Sequence, residues 1–215
     1  MIKWFNLAQP ETWLSGDKTY VAGTDAIKRI IGDVPNAGFI YWGGADIASI
    51  LYKEKPVMQQ TPYQKTLRDT WEVAAFDVIR NADRPMIGIC RGAQLLNVLC
   101  GGKLWQDVDN HAGNVEHDIH VCYKGTTYQV NTKLVGNSEH HQMAIVAPEV
   151  ELYGWTEGVA TRLINEKGTF ASTSREPEIF GYPNKRVLCI QGHPEWMIDS
   201  EYDHTCKSII EDFFA

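Results

Sequence analysis

The stretch RPMIGICRGAQLLNVLCGG, from Arg84 to Gly102, constrains the fold more than any other part of the chain. A short apolar run leads into Gly88-Ile89-Cys90-Arg91-Gly92, and helix-forming sequence follows. A cysteine with glycine two residues before and two residues after it predicts a strand, a tight turn and a helix: the cysteine version of a nucleophile elbow. Such a turn strains the nucleophile's backbone and lifts its side chain above the sheet. Gly88 and Gly92 leave room where a Cβ would collide with the neighbouring strand or helix. The helix that follows directs its N-terminal dipole at Cys90, which favours thiolate over thiol, and its first N–H groups are available to an oxyanion. A small core cysteine is the competing reading of the same residue.

The flanking sequence supplies the layers such an elbow needs. NAGFIYWGG reads as a short apolar strand that stops at Gly43-Gly44. TPYQKTLRDTWEVAAFDVIRNADRP reads as a helix: Thr61-Pro62 is the start signal, and Leu67, Trp71, Ala74, Ala75 and Val78 fall at helical spacing. MIGI has the all-apolar pattern of a buried parallel strand. From about Gly102 to Gly181 the chain turns β-rich, with HDIHVCY, TTYQVN, MAIVA and ELYGWT. KRVLCIQGHPEW is one more buried strand running into a loop, and SEYDHTCKSIIEDFFA an amphipathic helix capped by Ser200. Strands and helices alternate at both ends, which predicts an α/β sheet with a β-rich excursion.

The 215 residues predict a single domain, 1–215, large enough for a core without metal or disulfide staples. A formal charge of -7 and the absence of any lysine/arginine run argue against nucleic-acid binding. No apolar stretch approaches the ~20 residues of a membrane span, and the N-terminus lacks the features of a signal peptide. The five cysteines are odd in number, scattered and without a CxxC pair, so a reducing cytoplasm is expected rather than a disulfide framework.

Four motifs in order, YWGGADIASILY, GICRGAQLLNVLCGGKLWQD, NSEHHQ and QGHPEW, resemble the class I glutamine amidotransferase-like superfamily, most of all its γ-glutamyl-γ-aminobutyrate hydrolase (peptidase C26-like) branch. The resemblance runs from about Ala37 to Trp196. It implies a flavodoxin-like three-layer sandwich with a mostly parallel central sheet, and a catalytic set in which Cys90 is the nucleophile, His193 its base and Glu195 the group that orients the imidazole. Residue chemistry agrees. On an extended segment positions i and i+2 face the same way, so Glu195 reaches His193, fixing its tautomer and stabilising the imidazolium. The resemblance further implies an oxyanion hole from the N–H groups of Gly44 and Arg91, the Arg91 charge being secondary. Gln94, one helical turn after Cys90, is implied as a substrate-binding amide, and His141 and Gln142 as further lining of the pocket.

His111, His117, His120, His140 and His141 invite a zinc reading. Their spacing lacks a Cys/Asp pattern, and members of this type need no metal or cofactor, so none is expected. Arg68, Asp69 and Glu72 form an RDxxE pattern that reads as a solvated face or a local ion pair. The chain departs from the branch in two places. Only 42 residues precede Gly43, which implies a shortened N-terminal strand or lid, and STSREPEIFGYPNKR replaces an Asp-Gly…Glu segment near the leaving group.

The expected activity is cysteine-dependent hydrolysis of a γ-glutamyl amide, glutamine or a γ-glutamyl amine, through a glutamyl thioester. Three forms stay open: a free-standing hydrolase, a glutaminase subunit serving a separate synthetase or amidoligase, and a catalytically silent binding relative. No GxxxxGK[ST] stretch is present for ATP. A homodimer is equally open.

Overall fold

The computed structural model describes residues 1–171 and 175–215. In chain order the described elements are β1 (Lys3–Leu7), β2 (Tyr20–Val21), α1 (Thr24–Asp33), β3 (Ala37–Tyr41), α2 (Leu67–Asn81), β4 (Met86–Ile89) and α3 (Arg91–Leu99). A long β-rich section follows: β5 (Lys103–Trp105), β6 (Asp107–Val108), β7 (Val115–Lys124), β8 (Gln129–Ser138), β9 (Met143–Ile145), β10 (Glu151–Thr156), β11 (Arg162–Asn165) and β12 (Gly168–Ala171). The chain closes with β13 (Glu176–Tyr182), β14 (Val187–Ile190) and α4 (Glu201–Phe213).

Nine of the described strands form one sheet in the order β2-β1-β3-β4-β14-β13-β10-β7-β8. The first five pair in parallel, and counted among themselves they run 2-1-3-4-5, the flavodoxin-like order. From β13 onward every pairing is antiparallel, so the β-rich excursion extends the same sheet. The excursion also builds a three-stranded sheet, β12-β11-β6, and the pair β5-β9.

Side chains of successive strand residues go to opposite faces. Phe39 and Tyr41 of β3 join a core with α1, α2 and α3 residues such as Ile27, Ile79 and Leu95, whereas Ile40, with Ile87 and Ile89 of β4, joins Tyr202, Cys206 and Ile209 of α4 on the other face. That is the expected three-layer α/β sandwich. β4 and β14 are buried along their whole length, which is why MIGI and VLCI read as unbroken apolar runs.

One element starts later than its sequence suggests. α2 begins at Leu67, and its cap is Thr66, whose hydroxyl accepts from the Asp69 N–H while Asp69 accepts from the Thr66 N–H. Thr61 instead donates to Asp46 at 2.7 Å. The buried face of α2 is Asp69, Glu72, Ala75, Phe76 and Ile79, and Leu67 is exposed. A pattern search follows apolar residues, so it cannot choose a face on which two carboxylates are buried. In the other departure from the branch, Ser172, Thr173 and Ser174 lie outside the described residues; the rest of that segment forms β13 and the turn into β14.

Candidate active site

Parallel strands deliver the functional side chains at their carboxyl ends, where ligands of such sheets bind. β1 leads to Gln9 and Glu11, β3 to Gly43 and Gly44, β4 to Cys90, and β14 to His193. Together with Glu139, Glu195 and Trp196 these residues line a cavity of about 300 Å³. A larger depression, about 540 Å³ between α1 and the β1–β2 edge, has neither cysteine nor histidine in its lining and lies away from this chemistry.

Cys90 is buried, with φ 51° and ψ -112°, a left-handed backbone that a side-chain-bearing residue adopts only under constraint. The constraint comes from both sides: its N–H donates to Ile190 O at 2.8 Å, and its carbonyl accepts the Gln94 N–H at 3.1 Å as α3 begins. The glycines beside it are sterically required. A Cβ on Gly92 would lie 2.0 Å from Tyr41 O, and one on Gly88 would lie 2.5 Å from Ala93 N.

His193 faces Cys90. A Cβ on Gly43 would fall 3.1 Å from His193 Cε1 and 3.9 Å from Cys90 Sγ, so both side chains pack on that glycine. His193 Nδ1 lies 2.7 Å from Glu195 Oε1. Burial alone would pull the imidazole below its ordinary value; the Cys90 and Glu195 side chains outweigh it and push it up to about 9. The ring is clamped further. Trp196 stacks on it at 3.7 Å and 4°, and Asn137 of β8 holds the His193 backbone from both ends, accepting its N–H at 2.9 Å and donating to its carbonyl at 3.0 Å. Asn137 and Trp196 lie within NSEHHQ and QGHPEW, yet nothing in their sequence positions singles them out.

Gly44 has φ 135°, where a side chain is strained, and a Cβ there would meet Arg68 Nη1 at 2.5 Å. Beneath this loop lies a buried charge network that the sequence reading misses. Arg68 donates to Trp42 O and Gly43 O, each at 2.9 Å, and to Glu72 at 2.9 Å. Arg91 donates to Asp69 at 2.6 Å and also to Glu72. The RDxxE carboxylates are fully buried rather than solvated; the local ion pair forms between Arg68 and Glu72, and the Arg91 charge, expected to be secondary, pairs with both carboxylates.

Beyond Cys90 a small recess of about 50 Å³ is lined by Asp46, Gln94, His141 and Gln142, among others. Gln94 Nε2 donates to Gln142 O at 2.9 Å and lies 3.3 Å from Gln191 Oε1. His141 is pushed upward chiefly by its hydrogen bond with Asp46 at 2.8 Å. Gln142 Oε1 is buried with no partner among the described residues.

The histidines for which no metal is expected partly converge: His111 and His140 with Glu178 present ligand-type atoms within 4.8 Å of one another. His111 contacts Glu176 at 3.0 Å, His117 contacts Glu178 at 3.1 Å, and His140 packs 4.8 Å from the His111 ring. Burial drives His140 well below its ordinary value. His111 also lies 3.9 Å from Glu178, so the rings and the two carboxylates form one buried cluster. His120 lies apart, stacked on Trp155. The five cysteines are all free, and no helix among the described residues is long and apolar enough to cross a membrane.

Comparison with known proteins gives the site a context. The family model for peptidase C26 matches residues 22–157, a span that includes Gly44, Cys90 and Gln142 and stops short of His193. The glutamine amidotransferase-like protein YvdE of Lactococcus lactis subsp. lactis is 28% identical over 173 residues, 80% of this chain and 70% of that protein. The carbamoyl phosphate synthase small chain of Neisseria meningitidis is 28% identical over 126 residues, 59% of this chain and 28% of its own length. Among solved structures, a Thermoplasma acidophilum protein described as part of a GMP synthase superposes with a TM-score of 0.61 at 15% identity, covering 100% of this chain and 92% of that one, a likeness of fold.

Proposed function

The chain belongs to the peptidase C26 family, within the class I glutamine amidotransferase-like superfamily, and from that membership we propose that it is a γ-glutamyl amide hydrolase with Cys90 as nucleophile. The observation that carries this reading is the elbow itself: Cys90 is held in a left-handed turn at the start of α3, against an imidazole whose other nitrogen is bound to Glu195. In the proposed reaction Cys90 sulfur attacks the γ-carbonyl, and the N–H groups of Gly44 and Arg91 receive the developing oxyanion. His193 gives its proton to the departing ammonia or amine. Water, deprotonated by His193, then cleaves the thioester and frees glutamate. Gln94, His141 and Gln142 hold the glutamyl end in the small recess. There the unpartnered Gln142 Oε1 suits an α-amino donor, and the His141 ring suits the α-carboxylate. The 215 residues act as one domain in the cytoplasm, without metal or cofactor.

The second reading is a glutaminase subunit for a separate synthetase, favoured by the similarity to a carbamoyl phosphate synthase small chain. Purified protein incubated with glutamine and a panel of γ-glutamyl amines, with free glutamate as the readout, separates the two. The hydrolase releases glutamate alone; the subunit does so only with a co-purifying synthetase. Cys90→Ser lowers the rate on the order of 10³-fold or more. A silent relative would release no glutamate, and its Cys90 would resist an electrophilic glutamine analogue.

A further inference from the structure

The two cavities meet at Gly44, Cys90 and Glu139, which line both, and differ in the rest of their lining. The small recess takes the glutamyl end, so the departing amine must leave through the 300 Å³ mouth. Three carboxylates line that mouth, Glu11, Glu139 and Glu195, with no lysine or arginine among its lining residues. Glu195 spends one oxygen on His193, while its other oxygen, in a side chain only 6% exposed, has no partner among the described residues. The imidazolium of His193 is matched by Glu195, and Arg68 and Arg91 pair with Asp69 and Glu72, so both groups are neutral as a whole. Glu139 accepts the Asn114 N–H, a contact that leaves its charge in place. Glu11 and Glu139 therefore stand as uncompensated negative charge on a protein already carrying a formal -7.

An independent feature of the same mouth points the same way. Trp196 stacks one face of its indole on His193, yet the residue is 56% exposed, which leaves the opposite face open. An open indole face beside carboxylates attracts an ammonium group by its ring quadrupole, and does nothing for a carboxylate.

Resting on the hydrolase reading above, we propose that the departing amine carries a second, positively charged amino group: the substrate is a γ-glutamyl amide of an alkyl diamine or polyamine. Glu11 and Glu139 attract the distal ammonium, Trp196 covers it, and an amine ending in a carboxylate is repelled. The chemistry is unchanged. The amide C–N bond breaks, the amine leaves with the His193 proton, and water restores the thiol.

The test uses γ-glutamyl amides of three four-carbon amines, 1,4-diaminobutane, n-butylamine and 4-aminobutanoate, assayed on the full chain at low and high salt. At low salt, kcat/KM for the diamine amide exceeds that for the butylamide on the order of tenfold, and the 4-aminobutanoate amide is poorest. Added salt shrinks the gap, and Glu11→Gln reduces the diamine-to-butyl ratio several-fold. Equal or better turnover of the butylamide or the 4-aminobutanoate amide overturns the cationic specificity and leaves γ-glutamyl hydrolysis standing. Release of glutamate from none of the three, nor from glutamine, removes both.

Discussion

The floor and the rim of the cavity use the same kinds of charged side chain in opposite ways. On the floor, Arg68, Arg91, Asp69 and Glu72 are matched two against two, with both carboxylates fully buried. On the rim, Glu11 and Glu139 face solvent and the cavity with no opposing cation among the lining residues. Paired charges out of water are rigid, since each fixes the other and any displacement exposes an unpaired ion to low dielectric. Unpaired charges at a mouth fix nothing, and they act on whatever arrives. The floor therefore sets the position of the Gly43-Gly44 loop, and the rim sets what approaches it.

The largest effect that would break this contrast is on stability. Arg91→Ala strands the buried Asp69 carboxylate, leaves Glu72 with Arg68 alone, and costs roughly 3–5 kcal/mol, whereas Glu11→Ala on the rim stays within about 0.5 kcal/mol. Urea or thermal unfolding of the two variants measures the difference, and equal midpoints would erase the distinction between floor and rim.

A smaller effect sharpens it at the loop, where the floor meets the substrate. Gly44→Ala forces a Cβ toward Arg68 at a residue with φ 135°. The displaced N–H lowers kcat on the order of a hundredfold, with far less change in KM. Steady-state kinetics reads this directly, and an unaltered kcat would take the Gly44 N–H out of the oxyanion hole.

The smallest concerns His193, which belongs to neither extreme, being paired and yet open to the cavity. Its imidazole is held up to about 9 by Cys90 and Glu195 against the pull of burial. The ring thus keeps the proton that the departing amine needs until the pH rises through about 9, and the rate falls on that alkaline side. Glu195→Gln removes one of the two supports, so the alkaline limb moves to lower pH. A pH–rate profile with an unmoved limb would separate Glu195 from the reaction.

What is legible in the chain is whatever is contiguous. Gly88-Ile89-Cys90-Arg91-Gly92 encodes its turn in part locally: Gly88 answers contacts with Gly92 and Ala93 within it, whereas Gly92 answers Tyr41 of the distant strand β3. His193 and Glu195 are two residues apart and meet as the i, i+2 spacing requires. Ser200 caps α4 as expected, accepting the Asp203 N–H. Helical charge spacing offers Asp69 and Glu72 a solvated face or a local ion pair; the Arg68–Glu72 pair forms, but the burial is not legible because Arg91 lies 22 and 19 residues further along. The same holds for His117 and Glu178, which are 61 residues apart and are joined only when β7 and β13 lie near each other across β10. The clamp of Asn137 on His193 spans 56 residues and has no local signature at all.

The place of β14 in the sheet has a consequence for how the molecule comes into being. That strand inserts between β4 and β13, so His193 reaches Cys90 only after the long excursion from β5 to β13 has folded back. Contacts of such separation form slowly, because the loop entropy is lost before the contacts repay it. Recovery of activity on refolding therefore trails recovery of helical signal.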